Sequence, residues 1–498
     1  MGAPQFPARL ENTSFFMVGI KGTGMEALTE VLVRGGARVA GSDTEEVFYT
    51  DAVLEGLGIP VYTGFDAETL PADADVVVHS AAYDRERNPQ LVAARQRGLP
   101  IFTYTEALGE ISRGTWSVGV AGVHGKTTTT AMIGTMVKGL GLPGTVLVGS
   151  AVANFSGMST YSAGRAFFVA ETCEYRRHFL DFHPDIIVLT SVEPDHLDYY
   201  RDYADIRDAF VSFAERLPEG GELIYSADNA GAVEVSDIIA ARRPDIRRTP
   251  YGRRADGPFG LRSVATHPGR TTFRPAGAAA DFTLRLPGEH NAENAVAALC
   301  VISRLADRTD TAESGGEHGR GPEGRIPEGR IPEGAGAALE AFSGTRRRSE
   351  IIGEARGVLF LDDYGHHPTA IRTTLSGLRE FYPGRRLVVD FMSHTYSRTA
   401  ALLDEFATCF GEADEVILHE IYASAREQFD GSIRGEDLAR AVAEQHGKVR
   451  FIEKVEGAEE FLKGRLRPGD LFVTMGAGNN WVLSHRLYEE FSKERIET

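Results

Sequence analysis

The chain has 498 residues, of which 42% are hydrophobic and 25% charged. This length predicts two or three domains, because a single hydrophobic core stops growing at roughly 250 to 300 residues. The formal net charge of -18 at pH 7 disfavours general binding to nucleic acid or anionic lipid, since both require clustered cations.

Cysteine content and the N-terminus indicate the cellular compartment. The three cysteines, Cys173, Cys300 and Cys409, lie far apart and lack CxxC spacing, which favours reduced thiols over a disulfide framework or a zinc site. No signal peptide is recognisable, and no stretch approaches the ~20 apolar residues that span a bilayer. We expect a cytoplasmic protein without membrane insertion, either a monomer or a weak homo-oligomer.

Residues 1–112 have the pattern of a small parallel α/β domain. The apolar strand SFFMVGI leads through a glycine-rich turn into the amphipathic segment MEALTEVLVRGG, and the strands ARVAGSD and DVVVHSAA follow. Strands that alternate with helices in this way predict a small parallel α/β unit.

Residues 113–343 predict a second α/β domain. It begins with a strand, loop and helix in WSVGVAGVHGKTTTTAMIGTMVKGL, and apolar strands recur at 166–170 and 185–190. Short Thr- and Gly-rich pieces over 252–282 predict a side sheet. Residues 307–336 contain the near-repeat GRGPEGRIPEGRIPEG, whose glycine and proline content predicts a disordered surface insertion.

Residues 344–498 predict a third α/β domain. The apolar segments GVLFLDDYG, RRLVVDF, DEVILHEI, KVRFI and DLFVTMGAG have strand character, and helical stretches such as TAALLDEFATCF separate them. The whole chain is therefore expected to have an α/β fold with three domains.

A glycine-rich segment in the second domain is suited to binding ATP. It lies between an apolar strand and a helix, where backbone N–H groups can surround phosphate oxygens, and consists of Gly122, Val123, His124, Gly125, Lys126, Thr127 and Thr128. Lys126 would reach the β and γ phosphates, and the hydroxyl of Thr127 would ligate Mg²⁺. Val120 stands where the strict P-loop pattern has glycine.

The glycine-rich loop GIKGTGM near the N-terminus is similar to a dinucleotide-binding fingerprint. Gly22, Gly24 and Ala27 occupy the glycine positions, and Asp43 follows about 20 residues on, where an acidic residue can meet a ribose hydroxyl. The loop predicts a site for the diphosphate of a nucleotide, and NAD is one candidate.

Nine segments resemble the Mur ligase family in the same order along the chain: GIKGTGM, GVHGKTTTT, AETCEYRRHFL, SVEPDHLDYY, LPGEHNAENAVAAL, FSGTRRRSE, LDDYGHHPTAI, FMSHTYSRT and VTMGAGN. The resemblance implies a Rossmann-like N-terminal domain that binds a UDP-sugar, a central P-loop ATPase domain and a Rossmann-like C-terminal domain that binds an amino acid. It makes the first glycine loop a site for UDP, and the residues expected to contact the UDP-sugar are Gly19, Gly22, Thr23, Gly24, Asp43 and Ser80.

The resemblance also implies the catalytic groups of the central domain, which are Lys126, Glu171, His196 and Arg348. Glu171 and His196 would hold Mg²⁺ together with Thr127, since carboxylates and imidazoles are reasonable ligands beside phosphate oxygens. Asn291 would contact ATP, and Arg348 would meet the transferring phosphate. Two further arginines precede Arg348, and Ser349 stands where the family often has phenylalanine.

Two features bear on the branch of the family. Some Mur ligases have a modified lysine shortly after the DH motif, but residues 198–216 contain none, which favours the alanine-adding branch. Residues that resemble that branch's amino-acid pocket are Tyr364, His366, His394 and Arg398. Arg398 would pair with the amino-acid carboxylate, although Thr395 stands where many relatives have a second arginine. His366 and His394 are both candidates for the general base.

The activity implied by the resemblance is ATP-dependent joining of L-alanine to the carboxylate of UDP-N-acetylmuramate, with Mg²⁺, in the synthesis of peptidoglycan precursors. A carboxylate does not react with an amine at neutral pH, so ATP must first convert it to an acyl phosphate.

Three alternatives remain open. A recycling ligase of the same family would join a preformed tripeptide to the same sugar nucleotide. A nicotinamide oxidoreductase built on the first glycine loop would leave GKTTTT without a function, and a non-enzymatic ATP-binding regulator would leave the catalytic side chains without one.

Overall fold

The computed structural model describes residues 5–196, 199–313, 329–423, 429 and 431–493. Within these ranges, no helix is both long and apolar enough to cross a membrane. The regular structure consists of three α/β regions and a small antiparallel sheet. Short 3₁₀ helices lie at Ala67–Thr69, Ala153–Phe155, Tyr175–Asp181 and Asn479–Trp481.

The first region is a parallel sheet between two groups of helices. Its strands are β1 (Ser14–Val18), β2 (Arg38–Asp43), β3 (Val61–Thr63), β4 (Val76–His79) and β5 (Ile101–Thr103), and its helices are α1 (Thr23–Arg34), α2 (Thr50–Gly56), α3 (Pro89–Gln96) and α4 (Tyr104–Arg113). The strand order β3-β2-β1-β4-β5, parallel throughout, confirms the Rossmann-like prediction. The order reverses beside β1, where the carboxyl ends of neighbouring strands leave a crevice for a ligand.

The second region is a larger sheet. The glycine-rich segment 122–128, called the phosphate loop below, lies near its centre. Its strands are β6 (Ser117–Ala121), β7 (Thr145–Leu147), β8 (Thr160–Ser162), β9 (Phe168–Glu171), β10 (Ile186–Leu189), β11 (Glu222–Ser226) and β12 (Arg247–Tyr251), and its first helices are α5 (Lys126–Leu140), α6 (Tyr203–Ala214) and α7 (Ala230–Arg242). The order is β12-β11-β10-β6-β9-β7-β8, and only β8 runs antiparallel to its neighbour. The loop after β6 therefore lies between the ends of β9 and β10.

A separate antiparallel sheet follows, as the sequence predicted for 252–282. It contains β13 (Leu261–His267), β14 (Arg270–Pro275) and β15 (Phe282–Leu284). The next helices are α8 (Glu289–Glu313) and α9 (Ala335–Glu340).

The predicted disordered insertion over 307–336 is wrong at both ends. Helix α8 continues to Glu313, because the segment ADRTDTAE contains neither glycine nor proline. At the other end Ala335 is fully buried in α9, and Ile331 packs against the same core. The middle part, 314–328, lies outside the described residues.

The third region is a six-stranded sheet. Its strands are β16 (Glu350–Ala355), β17 (Val358–Asp363), β18 (Arg386–Met392), β19 (Glu415–Leu418), β20 (Val449–Phe451) and β21 (Asp470–Gly476), and its helices are α10 (Pro368–Phe381), α11 (Tyr396–Ala401), α12 (Leu403–Thr408), α13 (Gly435–Gln445), α14 (Val455–Lys463) and α15 (Val482–Lys493). The order is β16-β17-β21-β18-β19-β20, with only β16 antiparallel to its neighbour. The single helix predicted for TAALLDEFATCF is two short helices, because Leu402 leaves the helical conformation.

Two buried glutamates join the first region to the second. Glu26 and Glu30, both on α1, are fully buried. The carboxylate of Glu30 accepts hydrogen bonds from the backbone N–H groups of Ser159 at 3.0 Å and Thr160 at 2.7 Å, and Glu26 accepts from the hydroxyl of Ser159 at 3.0 Å. Burial, and then the neighbouring Glu30, raises the pKa of Glu26 to about 9. The carboxyl of Glu26 is therefore protonated at neutral pH in the folded protein.

This proton predicts a pH-dependent stability. Between the ordinary pKa of 4.5 and about 9, the folded state keeps a proton that the unfolded chain has released, so the free energy of unfolding falls as pH rises through this window. Glu26→Gln removes the titration and keeps the hydrogen-bonding shape. We expect its apparent Tm to exceed that of the wild type by on the order of 2–5 °C at pH 9, with a smaller difference at pH 6. Thermal unfolding at both pH values checks this, and a constant difference would contradict it.

Candidate active site

The phosphate loop has the backbone form that its glycines permit. Gly122 has φ +134° and Gly125 has φ +82°, in the region where L-residues are strained. A Cβ on Gly122 would lie 2.1 Å from the hydroxyl of Thr190, and one on Gly125 would lie 2.6 Å from the side-chain oxygen of Asn294. Gly125 then caps α5, so the first N–H groups of that helix face the space above the loop.

Lys126 is held by a buried carboxylate that the sequence had not singled out. Its Nζ lies 2.9 Å from Oε2 of Glu174 and also donates to the carbonyl of Gly122. Oε1 of Glu174 lies 3.4 Å from Nε2 of His196. Burial alone would lower the pKa of Lys126, but Glu174 holds it above its usual range. The pKa of the Glu174 carboxyl is held low by Lys126 and His196 against the effect of burial, so both members of the pair are charged.

Two of the three predicted metal ligands are adjacent. The hydroxyl of Thr127 donates to Oε1 of Glu171 at 3.0 Å, while Oε2 of Glu171 accepts from the N–H of Gly149 at 2.8 Å. A carboxylate and a hydroxyl at the start of a phosphate-loop helix match the oxygen preference of Mg²⁺. The imidazole of His196 instead contacts Glu174, the carboxylate that also pairs with Lys126.

A cavity of about 270 Å³ opens beside the loop and lies between the second and third regions. The second region contributes His124, Gly125, Thr128, His290, Asn291 and Asn294, and the third contributes Arg348, Ser349, Asp363, Thr369 and Thr373. The amide of Asn291 donates to the carbonyl of Pro287 at 2.7 Å. The side-chain oxygen of Asn294 accepts a hydrogen bond from the hydroxyl of Thr129 at 3.3 Å. Asn294 therefore contacts helix α5, which follows the loop, whereas the amide of Asn291 contacts Pro287.

The three consecutive arginines have different surroundings. The guanidinium of Arg346 lies over the rings of Tyr49, at 4.6 Å, and Trp481, at 5.3 Å. Arg347 donates to Asp362 at 3.0 Å. Arg348 is the one that lines the cavity, and this is the register that the sequence had favoured.

The residues predicted to bind the UDP-sugar gather at the carboxyl ends of β1, β2 and β4. Asp43 accepts from the backbone N–H of Lys21 at 2.7 Å, which ties the end of β2 to the glycine loop. The hydroxyl of Thr23 accepts from that of Tyr49 at 3.1 Å. Gly19 has φ +83°, and a Cβ there would lie 3.0 Å from Cβ of Ser80. Gly22 and Gly24 lie at the start of α1.

The predicted amino-acid pocket also comes together in the third region. The rings of Tyr364 and His366 are 5.1 Å apart, and those of His366 and His394 are 6.3 Å apart. Arg398 donates to Nδ1 of His394 at 3.2 Å. Its Nη2 also lies 2.6 Å from Oδ1 of Asp195 in the second region, and both side chains are at least nine-tenths buried. The pKa of Asp195 is held well below its usual range because Arg398 and nearby imidazoles outweigh burial.

One further group has the composition of a metal site. Ligand atoms of His124, Glu193 and His367 lie within 4.8 Å of one another. Nδ1 of His367 accepts the N–H of Thr369 at the start of α10, so Nε2 of the neutral ring carries the proton and presents no lone pair. The three residues line or adjoin the cavity and are better explained as polar groups of its wall.

Sequence analysis missed Glu174, Asp195 and Asn294. All three lie inside segments that resemble the family, AETCEYRRHFL, SVEPDHLDYY and LPGEHNAENAVAAL. The signal that could have found Glu174 is a second carboxylate three residues after Glu171. The partner of Asp195 is 203 residues away, and no local pattern indicates such a contact.

Comparison with known proteins gives a consistent result over the whole chain. Three profiles match in succession: the Mur ligase family catalytic domain over residues 15–116, the Mur ligase middle domain over 120–302, and the Mur ligase glutamate ligase domain over 347–478.

Relatives of similar length match nearly end to end. The UDP-N-acetylmuramate--L-alanine ligase of Treponema pallidum (strain Nichols) is 50% identical over 488 residues, which cover 98% of both chains. The protein of that name from Desulfitobacterium hafniense (strain Y51) is 38% identical over 474 residues, covering 94% of this chain and 98% of the relative.

Solved structures show the same fold at lower identity. The UDP-N-acetylmuramate-alanine ligase of Thermotoga maritima superposes with a TM-score of 0.77 at 24% identity, covering 97% of this chain and all of the other. A murein peptide ligase from Psychrobacter arcticus gives 0.64 at 22% identity, covering 96% and 99% of the two chains. With these matches, and with a phosphate loop, a carboxylate–hydroxyl pair and a cavity between two α/β regions, the chain belongs to the Mur ligase family.

Proposed function

We propose that the chain catalyses the ATP-dependent joining of L-alanine to the carboxylate of UDP-N-acetylmuramate. The observation that carries this proposal is the junction of the second and third regions. Arg348 lines the cavity there, and Lys126 directly follows Gly125, which also lines it. Arg398, His366 and His394 form the predicted amino-acid pocket of the third region. A relative that is 50% identical over nearly the whole chain has the name of this activity.

The reaction needs two steps at one junction. A carboxylate oxygen of the sugar nucleotide takes the γ-phosphoryl group of ATP, which gives ADP and an acyl phosphate. The amine nitrogen then attacks the acyl carbon, the C–N bond forms, the bond to the phosphate oxygen breaks, and a proton leaves the nitrogen. Catalysis of the first step is largely positioning and charge neutralisation. Lys126, which follows Gly125 of the cavity wall, and Arg348, which lines the cavity, would supply both effects.

Thr127 and Glu171 would hold Mg²⁺, with His196 nearby, and the bound ion would neutralise phosphate charge. We assign the UDP-sugar to residues 1–112, ATP to 113–343 and the amino acid to 344–498. We also propose that the enzyme acts in the cytoplasm, in the synthesis of peptidoglycan precursors.

Phosphate release by the purified protein tests this function. With ATP, Mg²⁺ and UDP-N-acetylmuramate, we expect release that depends on L-alanine. Release only with L-alanyl-γ-D-glutamyl-meso-diaminopimelate would instead indicate the recycling ligase. Absence of release with either substrate would contradict the proposal.

A further inference from the structure

The two histidines of the amino-acid pocket are in different hydrogen-bonding states, and this distinguishes their roles. These roles rest on the proposed function, because they concern the amine that the ligase would use. Nδ1 of His366 lies 2.9 Å from the carbonyl oxygen of Tyr364. A carbonyl can only accept, so Nδ1 carries the proton in this contact. In the neutral ring, Nε2 then has its lone pair available.

His394 has the opposite arrangement. Its Nδ1 lies 3.2 Å from Nη1 of Arg398, and a guanidinium can only donate. Nδ1 of His394 is therefore the acceptor, and Nε2 carries the proton. This histidine orients Arg398 and has no free lone pair on either nitrogen of the neutral ring.

Burial keeps the ring of His366 neutral, and the charged and titratable groups around it act in both directions. Arg398 on α11 and His394 after β18 disfavour a positive charge, whereas Asp195 after β10 and the carbonyl of Tyr364 favour one. Burial is the largest effect, and the net result is a pKa well below the usual range for histidine. An anionic acyl phosphate beside the ring would favour the imidazolium while the amine attacks, and its departure as phosphate would promote release of the proton.

We propose that His366 accepts the proton of the attacking amine and that His394 positions Arg398. As the C–N bond forms, an N–H proton passes from the amine nitrogen to Nε2 of His366. The C–O bond to phosphate breaks with its electron pair on the leaving oxygen. The imidazolium then returns its proton to solvent or to the departing phosphate.

Hydroxylamine, used in place of L-alanine, distinguishes a defect in proton transfer from a defect in any earlier step of the reaction. It is largely unprotonated at neutral pH, and it traps acyl phosphates as hydroxamates with little need for a base. Glutamine at position 366 can place an acceptor near Nε2 but cannot take a proton. We expect His366→Gln to reduce phosphate release with L-alanine by roughly 10²- to 10⁴-fold and to keep hydroxamate formation within several-fold of wild type. The defect with L-alanine should shrink as pH rises, because hydroxide and buffer bases can then take the proton that position 366 no longer accepts.

His394→Gln is the matched control. It should mainly raise the KM for L-alanine and leave the pH profile unchanged, because it affects Arg398. Equal loss of hydroxamate and of alanine ligation in His366→Gln would overturn the assignment, as would the pH-dependent defect appearing in His394→Gln. If the wild-type protein formed hydroxamate but did not use L-alanine, the proposed amino acid would be wrong, and His366 could then be tested with the amine that is used.

Discussion

Replacing Lys126 by alanine is expected to reduce ATP-dependent ligation by at least roughly 10²- to 10³-fold while UDP-N-acetylmuramate still binds. The lysine lies at the start of α5, in the second region, and its ammonium is buried. The residues assigned to the UDP-sugar lie at the carboxyl ends of strands in the first region. Initial rates of phosphate release measure the first effect, and calorimetric titration with the sugar nucleotide measures the second.

The pairing of Lys126 with Glu174 makes a second variant necessary. Alanine at position 126 leaves a buried carboxylate without its cation, which can cost about 3–5 kcal/mol of stability. The double variant Lys126→Ala, Glu174→Gln removes that charge. If activity is lost because the lysine binds phosphate, the double variant stays inactive while its Tm recovers. Lys138→Ala, on the exposed face of the same helix, should behave as wild type. Near-normal turnover of Lys126→Ala would contradict the ATP site.

The local sequence pattern was sufficient to predict candidate site residues where these lie together in one short segment. Strand β6, the phosphate loop and helix α5 lie within 24 consecutive residues. That segment alone was enough to predict a strand, a loop and a helix, and to select Lys126 as a candidate phosphate-binding residue. Arg348, which the sequence pattern selected among three arginines, is the one of them that lines the cavity. The roles of the site residues in binding stay predictions.

Long-range contacts were not predictable in the same way. Arg346 lies between Tyr49 and Trp481, which come from the first and third regions. Its surroundings therefore depend on how the first and third regions pack together, and sequence periodicity reports only which face of an element is buried. The extension of α8 to Glu313 was missed for another reason. The composition of 307–336 was judged as a whole, although its glycines and prolines begin only after Glu313.

The contact between Arg398 and Asp195 supports a prediction about the amino-acid site. Nε and Nη2 of Arg398 both donate to Oδ1 of Asp195, at 3.2 and 2.6 Å, and Nη1 donates to His394. The guanidinium predicted to bind the amino-acid carboxylate is thus already oriented by a carboxylate of the second region. Because Asp195 is the residue before His196, the ion pair connects the amino-acid pocket directly to the loop beside Lys126 and Glu174.

Arg398→Ala and Asp195→Asn separate two roles for this ion pair. If Arg398 binds the carboxylate of L-alanine, its loss removes a charge-assisted hydrogen bond of about 1.5–3 kcal/mol, so we expect KM for L-alanine to rise roughly 10- to 100-fold with a smaller change in kcat. Asparagine at position 195 keeps an oxygen acceptor and removes the competing charge, so its KM should change much less. Steady-state kinetics with L-alanine varied at saturating ATP and sugar nucleotide measure both. An equal fall in kcat in the two variants, with KM unchanged, would contradict this role. It would show that the ion pair only holds the third region against the second, because such a contact affects the assembled site and not the affinity for one substrate.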